Sequence, residues 1–485
     1  MFGERVKMKV VQNDGIRSEE RLDKEPIDGE FGSHFGSEDL DHIENEEVQD
    51  QNIGLRTSLN AVFSWNNYRV YLITSWIFNA FVYLGYFFNL YLWNLNLGLI
   101  MIGAINTITA AIATTARFFG GYVGDRSNRK TLAVVSMFLM AIYYLMIGIF
   151  SDPLMIFVAL TIFSALEITK GGSTAYIMDN IPREHSGLAL SLFTAGRFLS
   201  IITLFVFGVL YPVMGFGAFR LLHLIGGILL LLSTALRAHY LKGSQENKRA
   251  AGTKLWKTFI EDNKRALRIL LSVIPGMIIV CVIDSISDSF FKLGAFIYMY
   301  EDLLIDIPSM VVMLIATLAI QVPLLLKVGR LTDRKGVKST ALLIYAIMPI
   351  SAALLILAYW VPDWAPLSFS MAANTYIPGL GVIFKISFIA VVLKYVNDTL
   401  WYTIVLVLIR KRLPSHDTSK ILSLFWFIVW MTSSWGPLIG GVISEATSIL
   451  YLFVGIFILN ILILGAIAKY DLTVMGASNE QETSY

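Results

Sequence analysis

Gly-Tyr-Val-Gly-Asp-Arg-Ser-Asn-Arg-Lys occupies residues 121–130, at the end of a long apolar run. Gly-Arg-Leu-Thr-Asp-Arg-Lys-Gly-Val-Lys occupies residues 329–338, at the end of another apolar run. In each stretch a glycine is followed four residues later by Asp-Arg and then by further basic residues. The two copies stand nearly half a chain apart, which is typical of a chain built from two homologous halves.

The segments around both copies have the length that a membrane demands of a helix. Twelve apolar stretches of about 20 residues follow one another with short polar breaks. A non-helical backbone would leave its polar groups unpaired in lipid. We therefore predict an all-α polytopic membrane protein, with twelve transmembrane helices in two pseudo-symmetric six-helix bundles. The predicted segments are 70–93, 99–122, 132–150, 154–178, 188–211, 219–239, 269–297, 309–328, 341–360, 384–409, 421–444 and 449–467.

The composition argues against several other classes of protein. Hydrophobic residues make up 56% of the 485 residues and charged residues only 15%, against roughly 25% in soluble domains. The net charge is +2 and the basic residues are scattered over short loops, so no nucleic-acid partner is expected. Cys281 is the single cysteine and the histidines form no cluster, so we expect no disulfide and no metal site. The chain has neither an ATP-binding phosphate loop nor a Gly-x-Ser-x-Gly motif, so we expect no enzyme and no cofactor.

Loop charges orient the predicted helices. Alternate loops carry clusters of Lys and Arg, whereas the loops between them carry Asp and Glu with scarcely a basic residue. Basic loops stay in the cytoplasm, so we expect a multi-pass cell-membrane protein with both termini cytoplasmic. No cleavable signal peptide is evident, and the first helix is expected to direct insertion. The predicted division is an acidic, disordered cytoplasmic tail over 1–69, an N-terminal bundle over 70–240, a cytoplasmic linker over 241–268, a C-terminal bundle over 269–472 and a cytoplasmic tail over 473–485.

A second repeated element supports the two homologous halves. Residues 177–182 end in Ile-Pro and are followed by Ser-Leu-Phe, and residues 409–414 end in Leu-Pro and are also followed by Ser-Leu-Phe. These copies stand further apart than the copies of the first pattern, so the second half must contain an insertion. Residues 361–384, with three Pro, two Gly and one Trp, supply it as a long outer loop.

At these residues the chain resembles the major facilitator superfamily of secondary transporters, over about residues 70–472. The family motif between helices two and three, Gly-x-x-x-Asp-Arg-x-x-Arg-Lys, is matched fully by the first stretch and partly by the second. The resemblance implies a cytoplasmic gate in which the motif carboxylate interacts with a helix N-terminus of the opposite half. The residues that match, and are the predicted gating residues, are Gly121, Asp125, Arg126, Arg129, Lys130, Gly329, Asp333, Arg334 and Lys338.

Two simpler interpretations of these motifs remain open. The Asp-Arg stretches could only enforce topology, although Lys and Arg alone would do so and the aspartates would be unnecessary. A Gly-Pro-x-x-Gly-Gly signature is known on helix five of the family's drug/proton antiporters, but here it lies at 436–441, on predicted helix eleven. A kinked helix with a small-residue packing face is the simpler interpretation there.

Predicted helix seven carries charges inside the membrane. Asp284, Asp288 and Lys292 stand four residues apart and share one face, after a Pro-Gly pair at 275–276 that can bend the helix. A charge in the bilayer costs at least about 2.5 kcal/mol, so such residues normally face a cavity or a partner. Neighbouring carboxylates repel when both are ionised, so Asp284, or else Asp288, is a candidate to bind and release a proton. The alternative is a structural Asp288–Lys292 pair.

Helices four and ten contain further candidates. Glu167 and Lys170, like Lys394 and Asp398, are spaced to form ion pairs along one helix. Such pairs could serve insertion alone, or they could open during transport and bind a charged substrate group. Glu167 is a third proton-coupling candidate, and Arg197 is expected to pair with Glu167 or with a substrate anion. The predicted cavity residues are Asn79, Tyr83, Tyr86, Lys170, Arg197, Lys394, Asp398, Trp401 and Trp426.

These patterns predict a monomeric secondary transporter that moves a small organic solute by alternating access, coupled to protons. Aromatic side chains in the same helices favour export of an amphipathic compound, although many of them could be interfacial anchors. Proton-linked uptake of a small polar metabolite is the alternative. A non-transporting membrane sensor that signals through the acidic tail is a hypothesis of another class. The expected partners are the solute, protons and the lipid bilayer.

Overall fold

The computed structural model describes residues 55–179, 186–243, 255–335, 337–412 and 418–469, almost all of them helical. The first half, up to residue 243, contains α1 (Leu55–Ser64), α2 (Asn66–Phe81), α3 (Phe88–Asn94), α4 (Leu99–Arg126), α5 (Arg129–Ile149), α6 (Pro153–Ala165), α7 (Glu167–Asp179), α8 (Ser186–Ala195), α9 (Ser200–Met214) and α10 (Phe216–Tyr240). The second half contains α11 (Leu255–Val273), α12 (Pro275–Glu301), α13 (Ile307–Lys335), α14 (Val337–Tyr345), α15 (Ile347–Leu357), α16 (Leu367–Tyr376), α17 (Ile386–Arg412), α18 (Thr418–Ser433), α19 (Gly436–Ala446) and α20 (Ile449–Lys469).

The predicted membrane segments are all found as helices. Among the described residues, ten helices are long and apolar enough to cross a bilayer. An eleventh is the bent pair Asn263–Ser272 and Pro275–Glu301, and Ile307–Gln321 is a shorter apolar helix. These twelve stretches coincide with the twelve predicted segments, which confirms the predicted fold class.

Several segments are interrupted where the sequence predicted continuous helices. A 3₁₀ turn over Val82–Phe87 joins α2 to α3, and another over Gly196–Leu199 joins α8 to α9. Leu166 alone separates α6 from α7, and α18 is separated from α19 just before Pro437. Gly85, Gly196 and Pro437 weaken the α-helical hydrogen-bond ladder at three of these four points, which periodicity alone does not reveal.

Segment seven begins later than predicted. α11 and α12 are bent by 96°, and the break is at Ile274. Pro275 lacks a backbone N–H and restricts the residue before it, so a new helix starts there. Residues 269–273 therefore belong to α11, which also occupies much of the predicted linker. α11 packs against α18 through the buried Ala266 and Leu270.

The predicted terminal tails are mostly outside the described residues. Residues 1–54 and 470–485 are not described. Residues 55–64 form α1, and α2 begins at Asn66, with Val62 and Tyr68 fully buried. Helical structure is therefore described on both sides of residue 69, where the sequence analysis placed the boundary between the tail and the first bundle.

The core joins the two halves through aromatic rings. The ring centroid of Phe87, in the 3₁₀ turn, lies 4.9 Å from that of Phe207 in α9 and 5.0 Å from that of Phe296 in α12. Apolar side chains on the other side of α9, including Ile202, Phe205 and Val209, are more than half exposed. Exposed apolar side chains at this spacing form a face suited to lipid.

The halves meet most closely between α4 and α19. A Cβ atom on Gly103 would lie 2.3 Å from the carbonyl oxygen of Pro437, and one on Gly441 would lie 2.4 Å from that of Leu99. Only glycine allows the two backbones to approach so closely. This agrees with the interpretation of residues 436–441 as a kinked packing helix.

Hydrogen bonds also join the two halves at the end of the molecule where α4 and α19 meet. The loops that carry Asp152, Glu301 and Asp363 lie there, so we call it the acidic-loop end. The opposite end is called the basic-loop end. The Glu445 carboxylate accepts a hydrogen bond of 2.8 Å from the backbone N–H of Ile100, in the first turn of α4. The indole N–H of Trp93 donates to Glu301 at 2.9 Å. A carboxylate at a helix N-terminus is favoured by the helix dipole, so Glu445 stabilises the closed contact.

We expect Gly103→Ala to lower the melting temperature of the purified protein, because the new methyl group would overlap the Pro437 carbonyl. Overpacking of this kind costs roughly 1–3 kcal/mol. Gly465→Ala in α20 is the matched control, since a Cβ atom there meets nothing within 4 Å and alanine favours the helix. Equal melting temperatures for the two variants would contradict the close contact.

Candidate functional site

A central cavity lies between the two halves. Its volume is about 610 Å³, and both halves line it. Arg117 and Glu167 contribute charge from the first half, and Lys292 contributes it from the second. Aromatic rings form much of the remaining wall: Tyr86, Tyr143, Phe163, Phe296, Tyr395 and Trp430. This volume is typical of pockets for small organic ligands, and rings with a few polar groups are a common lining.

The first half places an ion cluster at the cavity wall. Glu167 is only 6% exposed, and its carboxylate accepts a hydrogen bond of 3.0 Å from Nε of Arg117. Lys170, one turn further along α7, forms an ion pair with the other oxygen of the same carboxylate. The predicted Glu167–Lys170 pair is therefore present, but α4 supplies a second cation to it.

The second half contains a larger ion cluster behind the cavity wall. Lys292 lies 2.6 Å from Asp288, and the buried Lys394 lies 3.1 Å from Asp288 and 2.5 Å from Asp398. Both predicted local pairs are therefore present, and Lys394 joins them across α12 and α17. Two cations and two carboxylates make this four-residue cluster neutral when all are ionised.

Asp284 lies one turn from this cluster and has a different environment. Its carboxylate accepts hydrogen bonds from the hydroxyl of Tyr345 at 2.8 Å and from the indole of Trp401 at 2.9 Å. Both donors are neutral, and among the described residues no Lys, Arg or His lies within ion-pairing distance of Asp284. Ionised Asp284 is therefore a half-buried charge without a direct counter-ion, whereas Asp288 has two.

A network of neutral side chains supports Asp284 from behind. The amide oxygen of Asn460 lies 3.2 Å from the Tyr345 hydroxyl and accepts a 3.0 Å hydrogen bond from Ser287. The nitrogen of the Asn460 amide has no hydrogen-bond partner among the described residues. α12, α14, α17 and α20 thus meet at this carboxylate.

A second cavity of about 520 Å³ lies beside the first. Trp426, Phe427 and Phe118 line it, and Arg117 and Trp430 line both cavities. The guanidinium carbon of Arg117 lies 4.2 Å from the centroid of the Trp430 ring. This cation–π contact connects the two halves where the cavities adjoin.

The predicted cavity residues divide into three groups. Tyr86 lines the central cavity and Trp426 the second one. The residues Lys394, Asp398 and Trp401 belong to the ion and hydrogen-bond networks behind the wall, and Lys170 belongs to the Glu167 cluster. The residues Asn79, Tyr83 and Arg197 are not among those that line either cavity.

The sequence suggests a pair between Arg197 and Glu167, but the two side chains do not form one. Its side chain is exposed in the 3₁₀ turn between α8 and α9, and it forms no ion pair with the described residues. Arg117 takes its place at Glu167. The two arginines lie on different helices, and the sequence does not show which of them faces α7.

The motif residues occupy helix ends, although the sequence placed them in loops. Gly121, Asp125 and Arg126 lie in the last turns of α4, and Arg129 and Lys130 begin α5. Asn128 caps α5 by accepting a 3.0 Å hydrogen bond from the backbone N–H of Lys130. The second copy is arranged alike: Gly329, Asp333 and Arg334 end α13, and Lys338 lies in the first turn of α14. The side chains of both Asp-Arg pairs lie outside what the structure describes, so the gating role stays a prediction.

Several polar residues of the membrane helices are not among the predicted site residues. Arg117 lies inside a membrane-length apolar segment, four residues before Gly121. An arginine at such a position indicates a partner or a cavity, and this was the signal that could have identified it. Asn106 donates a 2.9 Å hydrogen bond to Asn89, which donates in turn to the backbone oxygen of Lys292 at 2.9 Å. Arg237 was also missed; it is buried and donates to Thr74, Ser75 and the Ala133 carbonyl, so it has a structural role away from the cavity.

We expect Lys394→Met to destabilise the protein by roughly 3–5 kcal/mol, because Asp288 and Asp398 lose the buried cation between them. The double variant Lys394→Met/Asp398→Asn removes one charge of each sign and should recover much of the melting temperature. Lys385→Met is the control, since the 3.9 Å Lys385–Asp363 pair at the acidic-loop end is worth at most about 1 kcal/mol. A double variant no more stable than the single one would contradict the bridging role.

Comparison with known proteins places this geometry in a family. The family model of the Major Facilitator Superfamily matches residues 61–399. A search of curated protein sequences gives no significant match.

Solved structures share the fold at low sequence identity. The nucleoside transporter NupG is 14% identical, with 84% of this chain and 100% of that chain covered and a TM-score of 0.59. The POT family transporter PepTSo is 13% identical, with 83% and 97% covered and a TM-score of 0.58. A D-xylose-proton symporter is 15% identical, with 84% and 98% covered and a TM-score of 0.56. Together with the family match, the ten or eleven membrane-length helices among the described residues and the cavity between two halves, this similarity shows that the chain belongs to the major facilitator superfamily of membrane transporters.

Proposed function

We propose that this protein is a proton-coupled secondary transporter, which moves a small organic solute through the central cavity by alternating access. The two halves that alternate are the predicted bundles, residues 70–240 and 269–472. A cavity lined by both halves supports this proposal, because it would open to either side as the halves tilt. We expect the protein to act as a monomer in the cell membrane, with both termini in the cytoplasm.

The environment of Asp284 is the observation that carries the coupling proposal. Its described hydrogen-bond donors are neutral, so its ionised form lacks the direct neutralisation that Lys292 and Lys394 give Asp288. A half-buried carboxylate without a counter-ion binds a proton more readily than one in an ion pair. Asp284 is therefore the proton site that we favour over Asp288 and Glu167, both of which have two cationic partners.

The ion cluster of the second half can link this site to the solute. Lys292 lines the cavity and contacts Asp288, one turn from Asp284. A solute that shifts Lys292 would change the field that the cluster exerts on Asp284, and so its affinity for a proton. Reciprocal linkage then makes proton binding change the affinity for the solute.

The Asp-Arg motifs are proposed to latch the basic-loop end. Asp125, at the end of α4, would interact with a helix N-terminus of the second half. Asp333, at the end of α13, would interact with a helix N-terminus of the first half. An anion at a helix N-terminus is stabilised by roughly 0.3–1 kcal/mol at an exposed site. Such a latch would stabilise the outward-facing state and release in the inward-facing one.

Asp284→Asn should abolish solute accumulation driven by a proton gradient in proteoliposomes, because an amide cannot exchange the proton. Solute exchange without a gradient should persist, since Asp284 does not line the cavity. Asp302→Asn, in the acidic loop, is the matched control and should leave both activities intact. Gradient-driven accumulation that survives Asp284→Asn would remove this residue from the coupling mechanism.

Transport direction is a separate part of the proposal. The aromatic cavity wall favours export of an amphipathic compound, and proton-linked uptake of a small polar metabolite is the alternative. In the test, the solute is supplied on one side of the membrane and the opposite side is made acidic. A proton/solute antiporter should then move the solute toward the acidic side. Accumulation away from the acidic side would instead identify a symporter, and so uptake.

Removal of residues 1–51 should leave transport intact, because the described helices that form the cavity begin after this segment. A membrane sensor that signals through the acidic tail would lose its function in the same variant. Solute flux in proteoliposomes, compared at equal protein content, distinguishes the two. Loss of flux in the truncated chain, with its melting temperature unchanged, would favour the sensor.

A further inference from the structure

Arg117 has donors that the protein leaves unused. Its side chain is 43% exposed at the point where the two cavities adjoin. Nε donates to Glu167, while the two terminal NH₂ groups make no hydrogen bond with the described residues. The guanidinium plane is held by the Trp430 ring, 4.2 Å away. An arginine fixed in this way presents a ready two-donor site to the cavity.

The charges around the cavity do not balance in the first half. Glu167 is a single carboxylate between two cations, Arg117 and Lys170. The cluster in the second half is neutral, because Lys292 and Lys394 face Asp288 and Asp398. Among the described residues that line the cavity, the charged groups are Arg117, Glu167 and Lys292. The wall therefore carries an excess positive charge, and it lies at Arg117.

The rest of the wall suits the body of a ring-bearing molecule. Trp430 stacks on Trp426 with centroids 5.0 Å apart and planes at 22°, and it continues the aromatic surface from one cavity into the other. Tyr86 and Phe296 face the same central cavity from the two halves. Flat aromatic surfaces beside one cation favour a planar apolar body with an anionic end.

We infer that the solute is an aromatic or similarly planar organic carboxylate, whose carboxylate accepts two hydrogen bonds from the terminal NH₂ groups of Arg117. Planar guanidinium and carboxylate groups match in this paired geometry. The solute's ring lies against Trp430 and the other rings of the wall. This inference rests on the proposed transport function and specifies its substrate class.

A binding experiment without a proton gradient tests the substrate class independently of coupling. Benzoate, 3-phenylpropionate and 2-naphthylacetate are compared with their primary amides and with the corresponding amines, by their effect on the melting temperature of the purified full-length chain. The acids should raise the melting temperature, because a ligand that binds the folded state stabilises it. Amides and amines should do so far less.

Variants at Arg117 then locate the site. Arg117→Gln should weaken binding of the best acid by about 10-fold to 100-fold, since it removes a charge-assisted pair of hydrogen bonds. Glu167 keeps Lys170 as its partner in this variant, so the fold should persist. Arg117→Lys keeps the positive charge but loses the planar pair of NH₂ donors, so its affinity for the acid should lie between those of Arg117→Gln and the unchanged protein. Arg268→Gln, on an exposed face of α11, is the control and should bind the acid like the unchanged protein.

Glu167→Gln separates direct binding from a structural role. It removes the carboxylate that competes for Arg117, so it should bind the acids at least as tightly as the unchanged protein. A purely structural Arg117–Glu167 pair would make Glu167→Gln as damaging as Arg117→Gln. Failure of every acid to stabilise the protein, equal stabilisation by the amides, or unchanged acid binding in Arg117→Gln would each overturn the inference. Asp284→Asn should still bind the acids measurably, so a loss of proton coupling in this variant would not contradict the inferred substrate class.

Discussion

Neutralisation of charge inside the membrane-length helices is the constraint on which the arrangement of this protein depends. A charge in a bilayer costs several kcal/mol unless a partner or a cavity accepts it. Here the partners are supplied first by the same helix, as for Glu167 with Lys170 and for Asp288 with Lys292. Other helices then complete them, through Arg117 of α4 and Lys394 of α17. Each cluster thereby fixes how its helices pack.

The two halves satisfy this constraint differently. The first half leaves one cation in excess, beside a ring of the second half. The second half balances its four-residue cluster and leaves Asp284 to neutral donors. Arg237 shows a third solution, because hydroxyl and carbonyl oxygens alone satisfy it, with the Tyr71 ring 4.1 Å from its guanidinium. The proposed proton site, Asp284, and the proposed carboxylate-binding group, Arg117, therefore lie in different halves, so each can change its charge state without a direct contact with the other.

The sequence predicted the fold well because its signals are local or repeated. Apolar length, loop charge and the duplicated Asp-Arg stretch required no knowledge of which helix packs on which. Ion pairs at spacings of three or four residues, such as Lys394–Asp398, were predictable for the same reason. The bridge from Lys394 to Asp288 was not, nor was the choice of Arg117 over Arg197, because both depend on helix packing. The late start of α12 depends on local sequence alone: a Pro-Gly pair can bend one helix or begin a new one, and at 275–276 it begins a new one.

The seal at the acidic-loop end has a chemical character that matters for its opening. The Ile100 amide, the Trp93 indole and the Asn89 amide each reach across to the second half through a single hydrogen bond. Water can replace every one of these bonds at a net expense of about 1 kcal/mol each. Separation of α4 from α19 at Gly103 and Gly441 exposes little apolar surface at these two positions, since glycine has no side chain. Opening this side of the transporter would therefore combine hydration of these polar contacts with separation of the ring contact between Phe87 and Phe296.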